Sequence, residues 1–188
     1  MKLFVTGIGT EIGKTIISAI LTEALQADYW KPIQAGDLAD SDTDKIQRFI
    51  SNTRSIFHPE TFRLNNSMSP HAAAGRDDIK ICLSDFETPQ TDNHLIIEGA
   101  GGLMVPINQK DCMIDLIKKI QTEVVLVSRN YIGSINHTLL SIEALQKRDI
   151  PIRGIIFNGI ENKDTENIIL SMKGITFMGR VKEEKSFN

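Results

Sequence analysis

Lys2-Leu3-Phe4-Val5-Thr6-Gly7-Ile8-Gly9-Thr10-Glu11-Ile12-Gly13-Lys14-Thr15 is the stretch on which the expected fold turns. A β-forming apolar run enters a glycine-rich turn, and a helical pattern leaves it. Loop N–H groups and the start of a helix together make an anion site, because their partial positive charges point outward. A lysine after the last glycine reaches β- and γ-phosphates, and the next hydroxyl suits Mg²⁺. The common form of this motif has its first glycine at the position of Ile8, whereas Gly7 comes one residue early. Glu11 is also unusual, since a carboxylate repels phosphate; it either points away or faces a cation such as an amine or a metal.

Working outward, short β-branched runs alternate with helical stretches. Strands are expected at Leu3–Thr6, Tyr29–Lys31, Leu95–Glu98, Glu123–Ser128, Gly154–Asn158 and Thr176–Val181. Helices are expected at Thr15–Gln26, Asp42–Ile50, Met113–Gln121, Ile135–Lys147 and Asp164–Met172. On the first helix, Ile16, Ile17, Ile20, Leu21, Ala24 and Leu25 form the expected core stripe. Several strands are apolar on both faces, as strands between two helix layers must be. The alternation implies right-handed crossovers and an α/β fold of the phosphate-loop NTPase type, a doubly wound, mostly parallel sheet with helices on both faces. A length of 188 residues suits one domain over residues 1–188. Residues 51–93, with Pro59, Pro70 and Pro89, read as loop with at most one short helix after Ser69, either an insertion or a lid.

Hydrophobic residues at 41% and charged residues at 24% are ordinary for a globular domain. A net charge of −3 offers no general attraction to nucleic acid or anionic lipid. No apolar run approaches the roughly 18–20 residues of a membrane span. The chain opens directly on its first strand, with no stretch that reads as a signal peptide. Cys82 and Cys112 are far apart and lack CxxC spacing, so they read as reduced thiols in a cytoplasmic protein.

Polar and glycine-rich clusters fall at the strands' carboxyl ends, where ligands bind in such sheets. Lys31-Pro32-Ile33-Gln34-Ala35-Gly36 follows the second strand; Lys31 is either a solvated charge or a cation aimed at a developing anion. Ser41-Asp42-Thr43-Asp44 reads equally as a helix N-cap or as a source of Mg²⁺ ligands. Glu98, ending a buried strand before Gly99-Ala100-Gly101-Gly102, stands where a metal-holding carboxylate belongs. Ser134 can cap the helix after Asn130–Gly133, or that helix start can hold a carboxylate. Asn158 is either a turn former or an amide that reads a base edge.

Taken in order, these blocks, with Ser69-Pro70-His71 and Gly133-Ser134-Ile135-Asn136-His137, resemble the dethiobiotin synthetase family to about Asn158. That family's phosphate loop carries the same early glycine. The resemblance implies ATP- and Mg²⁺-dependent carboxylation of 7,8-diaminononanoate and closure of a cyclic urea, in biotin synthesis. It implies nucleotide contacts from Gly9, Thr10, Glu11, Ile12, Gly13, Lys14 and Thr15, completed by Glu98, Gly101 and Asn158. Thr15, Asp42 and Glu98 would hold Mg²⁺, with Asp44 as the alternative to Asp42. Catalysis would fall to Lys14, Lys31, Thr10 and Glu11. Lys31, Ala35 and Gly101 would border the substrate, Ala35 replacing a hydroxyl residue common in relatives. The family is a homodimer in which a neighbouring subunit's helix start, matched here by Ser134, Ile135 and Asn136, holds the substrate carboxylate. The competing reading is an ATPase switch of the partition or site-placement type, which usually has a further lysine early in the loop, where Ile8 and Gly9 stand here.

The family chain usually continues past an Ile-Pro segment that helps enclose the base, whereas here Gly179-Arg180-Val181-Lys182-Glu183-Glu184 runs on only to Asn188. The expectation is therefore weak discrimination among nucleotide bases. Calorimetric titration should give similar affinities for ATP, GTP and CTP; tight ATP beside poor GTP and CTP would refute it.

Overall fold

The structure, a computed structural model, describes residues 1–183. Its core is a seven-stranded sheet in the order β4-β2-β6-β1-β7-β8-β9. The strands are β1 (Lys2–Gly7), β2 (Asp28–Trp30), β4 (Phe57–His58), β6 (Leu95–Gly102), β7 (Glu123–Arg129), β8 (Ile152–Asn158) and β9 (Phe177–Val181). Every neighbouring pair is parallel. A second sheet pairs β3 (Ile33–Ala35) with β5 (Phe62–Leu64), also in parallel.

Strand pleating explains why helices cover both faces. Successive side chains point to opposite sides, so Leu3 and Val5 enter one apolar cluster and Phe4 the other. Helices α1 (Lys14–Leu25) and α2 (Asp42–Phe49) pack on the Leu3–Val5 side through Ile17 and Ile46. Helices α4 (Met113–Ile120), α5 (Ser134–Gln146) and α6 (Lys163–Lys173) cover the Phe4 side through Ile117, Ile142 and Ile169. The doubly wound parallel architecture expected from the sequence is the one observed. Expected element boundaries agree to within a few residues, the ordinary uncertainty of helix and strand ends.

The core stripe of α1 is rotated from the expected one. Its buried positions are Lys14, Ile17, Ser18, Ala19 and Thr22, while Ile20 and Ala24 are exposed. Small side chains at Ser18, Ala19 and Thr22 let the helix lie close to the sheet, and Lys14 must face the strand ends. Apolar residues almost all round the helix hid this orientation.

The segment 51–93 has the short helix expected after Ser69, and beyond that expectation it also contributes strands. It supplies β4 at the sheet edge, β5 in the small sheet, and α3 (Pro70–Arg76), which Pro70 opens. Strands of two and three residues are too short for an alternation pattern to register.

The buried carboxylate of Asp28 pins β2 to this segment. It accepts hydrogen bonds from Thr91 Oγ1 (2.7 Å), the Ile56 amide (3.0 Å) and Asn93 Nδ2 (3.1 Å), and meets His58 Nε2 at 3.2 Å. Burial acts to raise its pKa, but the donors from Thr91, Ile56, Asn93 and His58 outweigh burial and hold it below the usual carboxylate value. The stabilisation is therefore complete above the unfolded pKa, near 4, and is lost as pH falls through the lower folded value. Asp28→Asn should cost about 1–3 kcal/mol in urea unfolding at neutral pH, because an amide faces several donors with one acceptor oxygen. The variant should also lose part of the wild type's destabilisation in acid; equal stability at neutral pH would refute the assignment.

Candidate active site

The phosphate loop sits at the carboxyl end of β1, the centre of the sheet. Its early glycine has a packing cause: a Cβ on Gly7 would stand 2.0 Å from Ile12 Cδ1. Ile12 is buried over Gly7 and anchors the loop from beneath. Its side chain therefore belongs to the core, leaving only its backbone for ligand. Gly13 ends the loop at φ 92°, a left-handed conformation that favours glycine. A Cβ there would meet Asn158 Nδ2 at 2.1 Å. Gly13 has no side chain with which to cap α1, so the first N–H groups of the helix face the loop's concavity.

That concavity opens into a cavity of about 670 Å³. From the loop come Thr10, Glu11, Gly13, Lys14 and Thr15; the rest of the lining includes Lys31 just after β2, Ala35 ending β3, Asp42 opening α2, and Glu98 and Gly101 of β6. Thr10 and Glu11 are exposed at its edge, and Glu11 holds φ 56°. Gly9 is not part of the lining, though it lies against the end of β6, its Cα 3.5 Å from a Cβ built on Gly102.

Sheet register brings Lys31 to Glu98. Trp30 pairs with Ile97 across β2 and β6, so the next residue of each strand lies side by side. Lys31 Nζ donates to Glu98 Oε1 at 3.1 Å and to Asp42 Oδ2. Thr15 Oγ1 donates to the same Glu98 Oε1 at 2.9 Å, and Tyr29 Oη donates to Oε2 at 3.1 Å. Lys14 Nζ donates to the Gly9 carbonyl at 3.0 Å.

The two lysines titrate differently. Burial alone would lower Lys31, but Glu98 and Asp42 together hold its pKa above the ordinary lysine value. Burial lowers Lys14; Glu98 opposes this and neighbouring Lys31 adds to it. For Asp42, burial acts upward, but Lys31 outweighs it and holds the carboxyl below its usual range.

The choice between Asp42 and Asp44 is geometric. Asp44 Oδ2 accepts from the Ser41 amide (2.8 Å) and hydroxyl (2.6 Å), while the Ser41 hydroxyl takes the Asp44 amide, a capping box that starts α2. Asp42 faces the cavity. Of the residues behind it, Ile46 is buried but Phe49 is 44% exposed, so only Ile46 orients the helix through the core. Thr15, Asp42 and Glu98 are the oxygen-bearing side chains here that could hold a cation. Among the described residues no group of three or more His, Cys, Asp or Glu could hold a metal unaided. The set suits a cation that is also bound by phosphate oxygens.

Other expected residues lie elsewhere. Asn158 ends β8 and donates from Nδ2 to the Ile12 carbonyl at 2.9 Å, bracing the loop from behind. Ser134 is buried, its hydroxyl accepting the Tyr131 amide at 3.3 Å, a local turn contact. Ile135 and Asn136 are exposed at the start of α5, outside this cavity. His137 pairs with the Tyr131 hydroxyl at 2.7 Å on the same surface. Of the Gly179–Asn188 stretch that bears on base recognition, residues 184–188 lie outside the described residues.

The structure also adds residues. Gln34 is buried; it donates to the Gly36 carbonyl at 2.8 Å and accepts the Asp42 amide at 3.3 Å, which ties the Lys31 loop to α2. Asp37, Ser67, Met68 and Val105 line the cavity. Ser67 and Met68 come from the segment with the least pattern, and nothing local marked them. Gln34 carried a signal, as an amide between apolar Ile33 and a glycine turn.

Residues 1–188 match the family model described as an AAA domain. The chain is 55% identical to an ATP-dependent dethiobiotin synthetase of Christiangramia forsetii, covering 98% of this chain and 89% of the relative. A protein of the same name from Cytophaga hutchinsonii is 49% identical, again over 98% and 89%. Among solved structures, a plasmid partition protein of Borrelia burgdorferi bound to AMPPNP superposes with TM-score 0.62 at 13% identity, covering 100% of this chain and 86% of that one. A ParA family ATPase of Chlorobium tepidum gives 0.53 at 14% identity, covering 97% and 85%. These two likenesses concern the fold. No described helix is long and apolar enough to cross a membrane. With identity at this level over nearly the whole length of both chains, the protein belongs to the ATP-dependent dethiobiotin synthetase family.

Proposed function

We infer that the protein is an ATP-dependent cyclo-ligase that joins CO₂ to 7,8-diaminononanoate and closes the ring of dethiobiotin, releasing ADP and phosphate, a step of biotin synthesis in the cytoplasm. The observation that carries this reading is the pairing of two buried lysines, Lys14 and Lys31, on one cavity with an acidic rim at Glu11. ATP and a carbamate are both anions, and bringing them together requires fixed cations in a site with little water. A diamine brings positive charge, for which Glu11 is a fitting neighbour.

In this reading one amine attacks CO₂, losing a proton to give an N-carboxylate. A carbamate oxygen attacks the γ-phosphate, and ADP leaves. The second amine then attacks the carbonyl carbon of the mixed anhydride, and phosphate departs as the cyclic urea closes. Lys31, kept protonated by its carboxylate neighbours, neutralises the carbamate. Lys14 and the N–H groups at the start of α1 hold the phosphates, with Thr10 at the same end of the loop. Ala35 and Gly101 leave room for the diamine chain. Thr15, Asp42 and Glu98 would hold Mg²⁺, which offsets charge on the phosphate oxygens. Positioning and charge neutralisation suffice for most of the catalysis in phosphoryl transfer.

A homodimer completes the proposal. The start of α5 presents exposed Ile135 and Asn136 beside exposed Tyr131 and fully exposed Ile132. This apolar group supports docking of a second copy, whose helix start would reach the diamine's carboxylate. Asn158, already bound to the loop through its amide, is proposed to read the adenine edge with its remaining polar atoms.

The test is phosphate release and dethiobiotin formation with and without the diamine and bicarbonate. Both should be required; phosphate release indifferent to both would favour a nucleotide switch. Lys14→Ala should lower the rate about 10²-fold or more, as expected for loss of one preorganised charge contact. A near-normal rate would refute the loop's assigned role.

A further inference from the structure

Tyr29 was read only as part of a strand, yet it holds the single phenol in the apolar cluster under α1 and α2. It is fully buried, with Ile17, Ile46 and Ile96 in the same cluster, and its ring meets Phe57 at 5.9 Å between centroids. Register explains what it reaches. Tyr29 pairs with Ile96 across β2 and β6, and Glu98 follows Ile96 by two residues on the same face. The phenol therefore points along the sheet toward the Glu98 carboxylate and donates to Oε2 at 3.1 Å. Burial, reinforced by the charges of Glu98 and Asp42, raises the phenol pKa well above its ordinary value, so the hydroxyl stays a donor.

The two oxygens of Glu98 are thus served from opposite sides. Oε1 takes Thr15 and Lys31 at the cavity, and Oε2 takes Tyr29 from within the core. A carboxylate with partners at one oxygen only could turn about its last bond. A fixed donor behind it removes that freedom, as partners of metal ligands do elsewhere.

We propose that Tyr29 is a positioning residue that locks the Glu98 carboxylate with Oε1 toward the cavity, and that it thereby sets the divalent-metal affinity of the nucleotide site. The proposal rests on the reading that Glu98 is a metal ligand. Its signature is specific: the metal-dependent part of nucleotide binding changes, while metal-independent binding does not.

The experiment measures AMPPNP affinity of the full chain by calorimetry, in Mg²⁺ and in EDTA, for wild type, Tyr29→Phe and Glu98→Gln. Tyr29→Phe should reduce the Mg²⁺-dependent gain in affinity about 10-fold or more, the range found for such supporting contacts. Affinity in EDTA should stay within about 2-fold, and kcat at saturating Mg²⁺ should change far less than the Mg²⁺ concentration required. Replacing Tyr29 with p-aminophenylalanine, which keeps a donor on the same ring, should restore the gain and serves where Tyr29→Phe folds poorly. If Glu98→Gln leaves the gain intact, Glu98 is not a metal ligand and the underlying reading fails. If Glu98→Gln removes the gain but Tyr29→Phe does not, the positioning role alone is overturned. Equal loss in Mg²⁺ and EDTA would make Tyr29 a packing residue and overturn the proposal.

Discussion

Lys31 carries its ammonium group where water scarcely reaches, with the side chain only 5% exposed. A buried cation of this kind is tolerable only when paired and hydrogen-bonded, because desolvation alone costs several kcal/mol. Asp42 and Glu98 supply that pairing, one from the start of α2 and one from the middle of β6. The loop after β2, the first turn of α2 and the middle of β6 are consequently held to one point. Thr15 and Tyr29 then complete Glu98, which links the phosphate loop and the core beneath it to the same charge cluster. Removing Lys31 would leave the buried Glu98 without its cation, and removing Glu98 would leave Lys31, Thr15 and Tyr29 each short of an acceptor, so these groups depend on one another.

The sheet makes this convergence possible. In a parallel sheet all carboxyl ends lie along one edge, and the chain's turn-back from β1 opens a crevice there. Glu98 and the phosphate loop adjoin because β1 and β6 are direct neighbours, with Val5 opposite Glu98. Lys31 joins them because β2 is the strand on the far side of β6. The small β3–β5 sheet and the chain before α3 then wall the cavity, contributing Ile33, Ser67, Met68 and Ser69. One edge carries the charged groups, and the opposite wall sets the apolar Ile33 and Met68 beside the polar Ser67 and Ser69.

Much of this was legible in the linear order of residues. The phosphate loop, the large strands and helices, and the position of Lys31 just after a strand each follow from local pattern, whereas the strand expected to end at Glu98 runs on to Gly102. Other features were not legible, for identifiable reasons. The orientation of α1 was misread because apolar residues occur nearly all round it, and the choice of face depended on where Lys14 and the small residues had to lie. β3, β4 and β5 are too short to register as alternation. Ile12 looked like a ligand-facing loop residue, but its side chain fills the space that an early glycine leaves. Asp42 and Asp44 could not be separated by spacing; in the structure Asp44 is turned back into the capping box with Ser41, while Asp42 meets Lys31 at the cavity.

The anion-binding character of Gly7–Thr15 is local, because backbone amides and an uncapped helix start need only short-range geometry. The alternation of strands and helices likewise comes from residue-by-residue patterning, and with it the class of fold. The grouping of Lys31, Asp42, Glu98, Thr15 and Tyr29 is different in kind. Their separations in sequence reach 83 residues, and which atoms meet depends on strand order, register and the packing angle of α1. Those are properties of the assembled sheet, since a carboxylate's partners are selected by the burial that only tertiary packing creates.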